Sequence, residues 1–591
     1  MNNSMNKQYL LIAIIMKKST NSTIFALIII AMFSVFASCS KAFKDNSELD
    51  SLNNGFPIGG THCTNPYSLR IMQAALDSLL ATKSMVGSTY ILEPTDYYVR
   101  ISSLDTTAIA SLRNMDIELF DYPLDCEFAE NSVYYYDPEE PDNSTNIWHY
   151  TAVSPKLAKE EVPYEKVLEA ENHGELLSIE LTTDAHYELS CDLIDECYVP
   201  DHDMGTKSHT PLPVSPDELE NMAFIIAGVP HNSSMTKASS VIPCGHVYLD
   251  NAGAKMPVKG VKIRVQRYIK WDTTNTNDYG FFYVTNKYTN PNISIIYSNQ
   301  KDFTIWGKWA FVAPTSITVF NCKNANSFEK TFYNSDPTPW SWAVVNNAAY
   351  DYYSNCTSIG KLKDVSIPPS NMKLWCVNLD LGIVAGGTPM MKHLITSRVL
   401  SGTNAVLAYL THIGLGRWVP VTIAAVINVF GPDILINTYN KSYNSLYATT
   451  FHELSHSSHF NAIGEWNYGK IIWYEMTHGD STDYYGKGGT GTDEEGYSEV
   501  SETYAYSIEN YIRKTILKEY KPSAGEDTHY FFNKYVTTLS DLLINGVLTP
   551  GEVYGCMTKN TKSMDSLLSS ICSKYPSKEA TIKTEMSKNG L

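Results

Sequence analysis

Two histidines and a glutamate lie close together at His452, Glu453 and His456. Residues four apart in an α-helix lie about 40° apart around the axis and roughly 6 Å apart along it, so both imidazoles can reach one ion from the same side. This H-E-x-x-H spacing is typical of a zinc-binding helix, in which the glutamate is a base and not a ligand. Residues 446–451 contain neither glycine nor proline, so a helix can run into the motif. The sequence predicts zinc ligands at His452 and His456 and a general base at Glu453.

A catalytic zinc site also needs a third protein ligand and one position open to water. His459 lies on the same helical stripe, but a straight helix places it about 10 Å along the axis from His452. One ion could not hold all three imidazoles without breaking the helix. The metzincin pattern is excluded as well, because it needs histidine where this chain has Ala462. We therefore expect His459 to support the site or to line its pocket.

A glutamate from a later helix is the alternative third ligand. Residues 495–518 repeat apolar side chains at helical spacing, which predicts that helix. It carries three candidates, Glu495, Glu499 and Glu502. Helical spacing alone leaves all three open.

A resemblance to known families separates these candidates. The segment Glu502-Thr-Tyr504-Ala505-Tyr506 resembles the E-x-[WY]-[AG]-x-Y segment that follows H-E-x-x-H in several zinc peptidase families, and a late glutamate ligand is typical of gluzincins. Residues 451–460, with Glu502 46 residues after His456, also resemble Gram-negative surface lipoproteins that share this pairing. The resemblance implies that Glu502 is the third ligand, with Glu499 and Glu495 as alternatives.

Three residues are candidates for the group that stabilises the oxyanion. Tyr506 falls one turn after Glu502, where it could hydrogen-bond the Glu502 carboxylate or the developing negative charge. Tyr504 and His478 are the other candidates. We expect Tyr506 to take part in catalysis.

Composition limits the class of protein. The chain has 591 residues, enough for about three or four domains. Its 43% apolar and 18% charged residues are typical of a globular protein. A formal net charge of −18 argues against nucleic acid as a partner, because neutralising phosphates needs basic patches. None of the 11 cysteines forms a C-x-x-C pair. Cys191 with Cys197, and Cys556 with Cys572, are close enough in sequence to bridge, and buried free thiols are an equal alternative.

The N-terminus has the parts of a secretory signal. Lys17 and Lys18 precede a 13-residue apolar run, which ends at Ala37-Ser38-Cys39. This ending resembles the lipobox of bacterial lipoproteins, which implies a lipid on Cys39 and a membrane anchor at the outer membrane or cell surface. We expect residues 1–39 to be the signal peptide, with Met16 as the start, and polar residues 40–54 to be a tether.

The remaining chain divides into three predicted regions, which together make a multidomain α+β protein. Residues 55–240 mix helical and strand patterns and carry no catalytic constellation. Residues 241–318 contain four strand-like runs at even spacing, which begin at Gly245, Gly260, Gly280 and Ile293.

The turn Asp278-Tyr-Gly280 and the preceding segment 257–261 resemble carboxypeptidase regulatory-like, transthyretin-type modules. The resemblance implies a β-sandwich at 241–318 that folds by itself and supports the enzyme without taking part in chemistry. Residues 340–591 are expected to form a mainly helical, zinc metallopeptidase-like domain.

The expected function is a zinc metallopeptidase that cleaves peptide bonds of extracellular proteins or peptides. One alternative is a surface-binding lipoprotein whose zinc site is structural or vestigial. Another is a different zinc hydrolase, such as an amidase or a deacetylase, with the same ligands. Glu453 favours catalysis over binding, because a structural site has no use for a general base.

Overall fold

The computed structural model describes part of the chain. The described residues are 61–62, 64–83, 90–92, 96–102, 112, 117–133, 135, 148–153, 187–189, 213–229, 240–307, 314–378, 386–396, 432–478, 492–519 and 530–591. The predicted signal peptide, its Cys39 and the tether lie outside them.

Helices and several separate sheets both contribute to the fold, which is consistent with a multidomain α+β protein. The strands are β1 (Thr61–His62), β2 (Asp96–Ser102), β3 (Cys126–Glu127), β4 (Trp148–Val153), β5 (Tyr187–Leu189), β6 (Cys244–Asn251), β7 (Ala254–Pro257), β8 (Val261–Arg267), β9 (Lys270–Asn275), β10 (Phe281–Tyr283), β11 (Asn292–Asn299), β12 (Phe303–Trp306), β13 (Ser316–Val319), β14 (Phe328–Phe332), β15 (Met372–Val377), β16 (Gly386–Gly387) and β17 (Ile434–Asn437). The helices are α1 (Leu69–Thr82), α2 (Pro216–Ala227), α3 (Pro337–Asn355), α4 (Met391–Thr396), α5 (Tyr443–Ile463), α6 (Glu465–His478), α7 (Asp493–Thr515), α8 (Tyr530–Ile544), α9 (Pro550–Tyr554), α10 (Met564–Lys574) and α11 (Glu579–Lys588).

The N-terminal described residues combine a helix pair with small sheets. Helices α1 and α2 bury their apolar faces in a shared cluster that includes Leu76 and Leu219. Strands β4, β2 and β5 form one antiparallel sheet in that order, and β1 pairs with β3. The mixture of helix and strand predicted for residues 55–240 is therefore present in this part of the chain.

The four strands predicted between 241 and 318 are confirmed as β6, β8, β10 and β11. They divide between two sheets. One sheet has the order β10-β6-β14, with β7 beside β6, and the other has the order β16-β17-β15-β12-β11-β8-β9, with β13 beside β11. Side chains alternate along β6, so that Val247 and Leu249 are buried while His246 and Tyr248 lie on the opposite face and are partly exposed.

The longer sheet crosses the predicted boundary between the β-sandwich and the metallopeptidase-like region. Strand β12 pairs in parallel with β15, and β15 pairs in parallel with β17. One hydrophobic cluster also continues from Val247 in β6 to Ile582 in α11. Residues 241–318 and the helices beyond 340 thus share both a sheet and a core.

Helix α3 joins the sheets to the helix that carries the H-E-x-x-H motif. Asp351 in α3 accepts a hydrogen bond from Lys259 Nζ at 2.8 Å and another from the Tyr447 hydroxyl at 2.9 Å. The hydroxyls of Tyr352 and Ser458 are 2.8 Å apart. Because Lys259 precedes β8 while Tyr447 and Ser458 lie in α5, α3 fixes α5 against the sheets.

Helix α5 contains the motif and is buried on almost every side. It begins after Ser442, whose side chain accepts a hydrogen bond from Ser445 N–H, and it ends at Gly464, which has a φ of 78°. Because the helix is buried, its side-chain hydroxyls need hydrogen-bond partners within the protein. The hydroxyls of Thr450 and Ser455 donate to the backbone carbonyls four residues earlier. The predicted helix through the motif is confirmed.

Two further properties of the described residues bear on the sequence analysis. Cys556 and Cys572 are free thiols and do not bridge. In the described ranges, we find no helix that is both long and apolar enough to cross a membrane.

Candidate metal centre

Helices α5 and α7 pack side by side and bring His452, His456 and Glu502 together. The Nε2 atoms of the two histidines are 3.1 Å apart. The Glu502 carboxylate lies across both, with Oε2 3.5 Å from His452 Nε2 and Oε1 3.5 Å from His456 Nε2. Within the described residues, this is the group of histidine, cysteine and acidic side chains placed to hold a metal ion. All three donors converge from two helices on one point.

The spacing and chemistry of these donors fit zinc. Zinc held tetrahedrally by ligands about 2.0–2.1 Å away keeps its donor atoms roughly 3.3–3.4 Å apart. The separations of 3.1 Å and 3.5 Å bracket that value. Two imidazoles and one carboxylate are also a known donor set of catalytic zinc, and they leave one position for water. The residues present are therefore suitable ligands for zinc.

The other two candidate glutamates lie elsewhere on α7. Glu499 is buried, and its Oε2 accepts a hydrogen bond from the Met564 backbone N–H at 3.3 Å. Glu495 lies in the first turn of α7, and its backbone N–H donates to the Thr492 hydroxyl that caps the helix. Neither joins the two histidines in the group that could hold an ion.

The second nitrogen of His452 meets a carboxylate that the sequence analysis missed. His452 Nδ1 is 3.4 Å from Glu509 Oε2, a distance that is long for a hydrogen bond but within the range of an ion pair. Glu509 in turn accepts from Arg513, with Nη2 2.9 Å and Nε 3.1 Å from its Oε1. A carboxylate at this nitrogen orients a ligand histidine and raises its basicity. Spacing could have indicated Glu509 from the sequence, because it follows Glu502 by seven residues and so lies on the same face of α7.

The second nitrogen of His456 meets a hydroxyl instead. Ser501 Oγ lies 2.9 Å from His456 Nδ1 and 2.9 Å from His459 Nδ1. All three side chains are buried. His459 thus reaches His456 through Ser501. No sequence pattern pointed to Ser501.

The expected base, Glu453, is held from the side of the sheet. The Thr388 hydroxyl lies 2.8 Å from Glu453 Oε2 and 2.9 Å from the Glu453 carbonyl oxygen. Thr388 is itself fixed, because its carbonyl accepts from the Tyr468 hydroxyl at 2.8 Å. Strand β16 passes so close that a Cβ at Gly386 would collide with the Glu453 carboxylate. A glycine is therefore required at position 386 for the carboxylate to occupy this place.

Burial and neighbouring charges shift the pKa values in the site. Burial raises the pKa of Glu453 to about 7, against the lowering effects of His452 and Thr388. Burial lowers the pKa of His456 to about 4, which keeps it neutral as a ligand must be. Burial also acts to lower the pKa of His452, but Glu502 and Glu509 outweigh it and raise that pKa well above its usual range. The carboxylates thus strongly favour positive charge at this point.

The three candidates for the oxyanion donor lie in different surroundings. The Tyr506 ring packs edge-on against His452, with centroids 4.4 Å apart, and its side chain is partly exposed. The Tyr504 side chain is fully buried beside Tyr554. His478 is the last residue of α6, and its side chain lies outside the described part of the structure.

Comparison of the chain with protein-family models, with curated proteins and with solved structures gives no match.

Proposed function

We propose that this protein is a zinc-dependent metallopeptidase whose helical region is zincin-like. The observation that carries the proposal is the convergence of His452, His456 and Glu502 at donor separations suited to zinc. Glu453 lies next to a ligand in the sequence and is fixed separately, by Thr388. A purely structural zinc site has no need of such a base, and this favours a hydrolase.

The residues of the chain divide the chemistry between them. Zinc bound here would acidify the attacking water and polarise the carbonyl of the scissile bond. Glu453 takes the proton from that water and passes it to the leaving amine. Burial raises the pKa of Glu453 to about 7, which suits a group that both accepts and returns a proton near neutrality. Tyr506, packed against His452, is the proposed donor to the developing oxyanion.

The remaining expectations belong to the same proposal. A lipid on Cys39 would place the site outside the inner membrane, so the substrates are extracellular proteins or peptides. Residues 241–318, whose strands divide between two sheets, are proposed to be a supporting β-sandwich of the transthyretin type. Its contribution is to hold α5 in place through Lys259, Asp351 and Tyr447.

The test separates metal binding from catalysis. Glu453→Gln preserves the size of the side chain but removes the base, so the variant should bind zinc as the wild type does. Its turnover of a mixed peptide library should fall by roughly two to four orders of magnitude. Chelation of the wild type should abolish cleavage, and added zinc should restore it.

Two outcomes would overturn the proposal. A wild-type protein that binds no zinc removes the metal site itself. A wild-type protein that binds zinc but cleaves no peptide above the Glu453→Gln background is not a peptidase. In that case, assays of the same samples with amidase and deacetylase substrates would show whether the protein is another kind of zinc hydrolase.

A further inference from the structure

Ser501 lies between two imidazole nitrogens and cannot donate a hydrogen bond to both of them. Its Oγ lies 2.9 Å from His456 Nδ1 and 2.9 Å from His459 Nδ1. A serine hydroxyl has one proton to donate and lone pairs with which to accept. These two contacts are the hydrogen bonds of the Ser501 side chain in the described structure, so accepting from both imidazoles would leave its own buried O–H without an acceptor. The hydroxyl therefore donates to one imidazole and accepts from the other. One of the two Nδ1 atoms carries a proton, and the other does not.

The position of His456 decides the direction. Its Nε2 points to the place where His452 Nε2 and Glu502 Oε1 also converge, at 3.1 Å and 3.5 Å. A neutral imidazole that offers its Nε2 lone pair to a metal must carry its proton on Nδ1. His456 Nδ1–H then donates to Ser501, and the Ser501 hydroxyl donates to His459 Nδ1. The proton of His459 is left on Nε2.

The reverse direction is incompatible with a metal ligand. If His459 Nδ1–H donates to Ser501 and Ser501 donates to His456 Nδ1, then the proton of His456 lies on Nε2. That proton points at the site the ion would occupy. Only one of the two arrangements of this three-residue chain leaves His456 able to bind.

We propose that Ser501 and His459 are positioning residues that fix the tautomer of His456 for zinc binding. The inference rests on the proposed zinc site. It explains why a third histidine lies in the core where it cannot be a ligand. His459 is 1% exposed, and its Nε2 has no hydrogen-bond partner in the described structure. An unpaired buried N–H is unfavourable for stability, so His459 is poorly explained as a residue that only packs.

Helix α7 supplies a matched control for Ser501. Ser498 lies three residues earlier, is equally buried, and its hydroxyl has no hydrogen-bond partner in the described structure. Ser501→Ala should lower zinc affinity about 10- to 100-fold, as is typical when a group that orients a ligand is lost. Ser498→Ala should leave zinc affinity unchanged. Zinc affinity is measured by competition with a chromophoric chelator, and thermal denaturation checks that each variant is folded.

Variants of His459 test the second link of the chain. His459→Phe keeps a ring in the core but removes the acceptor, so zinc affinity should fall about tenfold. His459→Asn keeps an acceptor atom where Nδ1 lies, and it should restore most of that loss. A role limited to packing predicts the opposite order, because Phe fills the space better than Asn.

The tautomers can also be read directly without any variant. In the zinc-loaded wild type labelled with ¹⁵N-histidine, NMR should show the proton of His456 on Nδ1 and that of His459 on Nε2. Zinc-loaded protein with His459 protonated on Nδ1 would overturn the inference. So would a Ser501→Ala variant that is folded and binds zinc within twofold of the Ser498→Ala control. A wild type that binds no zinc removes the proposed function instead, and the two failures are thereby distinguished.

Discussion

The core between the sheets and the core between α5 and α7 belong to one hydrophobic cluster, but they are built differently. In the sheet core, β11 and β8 place Ile295 opposite Ile263, and both are fully buried. In the helical core, the residues at the contact include two histidines and the Glu502 carboxylate. The pair in the sheet core is apolar, whereas the contact between the helices places ionisable groups together.

Under the proposed function, we expect this difference to separate the part of the molecule that mainly stabilises the fold from the part that takes part in chemistry. Burying an ionisable group is unfavourable unless it is paired, and each one here has a specific partner. Glu509 lies at His452, Ser501 at His456 and Thr388 at Glu453. Substitutions in the sheet core should therefore change stability, and substitutions between the helices should change zinc binding or turnover.

The largest expected effect distinguishes two glutamates of α7. Glu502→Ala removes a proposed ligand, so zinc affinity should fall by roughly a thousandfold or more, beyond the 10- to 100-fold typical of a group that only supports a ligand. Glu499→Ala should leave zinc affinity within about threefold, because Glu499 bonds the Met564 backbone instead. Zinc titration of both variants, with His456→Ala for reference, checks this. Loss of zinc in Glu499→Ala alone would assign the third ligand to Glu499.

In the sheet core, the expected effect is on stability. Ile295→Ala should lower the free energy of unfolding by about 2–5 kcal/mol, because it leaves a cavity in the hydrophobic core. Ile296→Ala is the matched control, because the Ile296 side chain is partly exposed and its truncation should lower the free energy of unfolding by less. Urea denaturation measures both, and zinc affinity of folded Ile295→Ala should remain within about twofold. A large loss of zinc affinity in that variant would mean that the two cores are coupled.

A smaller effect is expected at Glu509. Glu509→Gln keeps the shape of the side chain but removes the charge beside His452 Nδ1, so zinc affinity should fall about 10- to 100-fold. Glu519→Gln is the control, because Glu519 also contacts Arg513, at 3.4 Å, and is partly exposed. If the two variants bind zinc equally well, Glu509 pairs with Arg513 without orienting the ligand.

The smallest effect concerns the pH dependence of turnover. Thr388→Val removes a hydrogen bond that lowers the pKa of Glu453, so that pKa should rise further. A base must be deprotonated to act, and activity is therefore lost as pH falls through its pKa. The acid limb of the kcat/KM profile should therefore move to higher pH in Thr388→Val by about one pH unit. At a fixed pH below the midpoint, this shift lowers kcat/KM about tenfold. Thr388→Ser should restore the wild-type profile; an unmoved limb in Thr388→Val would show that another group controls it.

Local periodicity was enough to predict several elements of this protein from sequence. The helix through His452 and His456 follows from spacing and from the absence of breaking residues before the motif. The strands at β6, β8, β10 and β11 follow from short β-rich runs between turn residues. Each of these patterns involves residues that are close together in the chain, so backbone geometry alone determines how they lie relative to one another.

The third ligand depended on more than periodicity. Glu495 and Glu502 are seven residues apart, so an isolated helix places both on one face, and Glu509 continues the same row. Only the position at which α7 packs against α5 puts Glu502 at the two Nε2 atoms and Glu509 at His452 Nδ1. That position is set by side-chain packing between helices far apart in sequence, which no local pattern records.

The same reason applies to the remaining features of the site. Thr388 reaches Glu453 across 65 residues, and Ser501 reaches His456 across 45. The sheet that joins β12 to β15 also crosses a boundary that the sequence suggested. Hydrogen-bond partners in a sheet or between helices depend on how the whole chain packs, and so the tertiary structure alone decided which residues contact each proposed ligand.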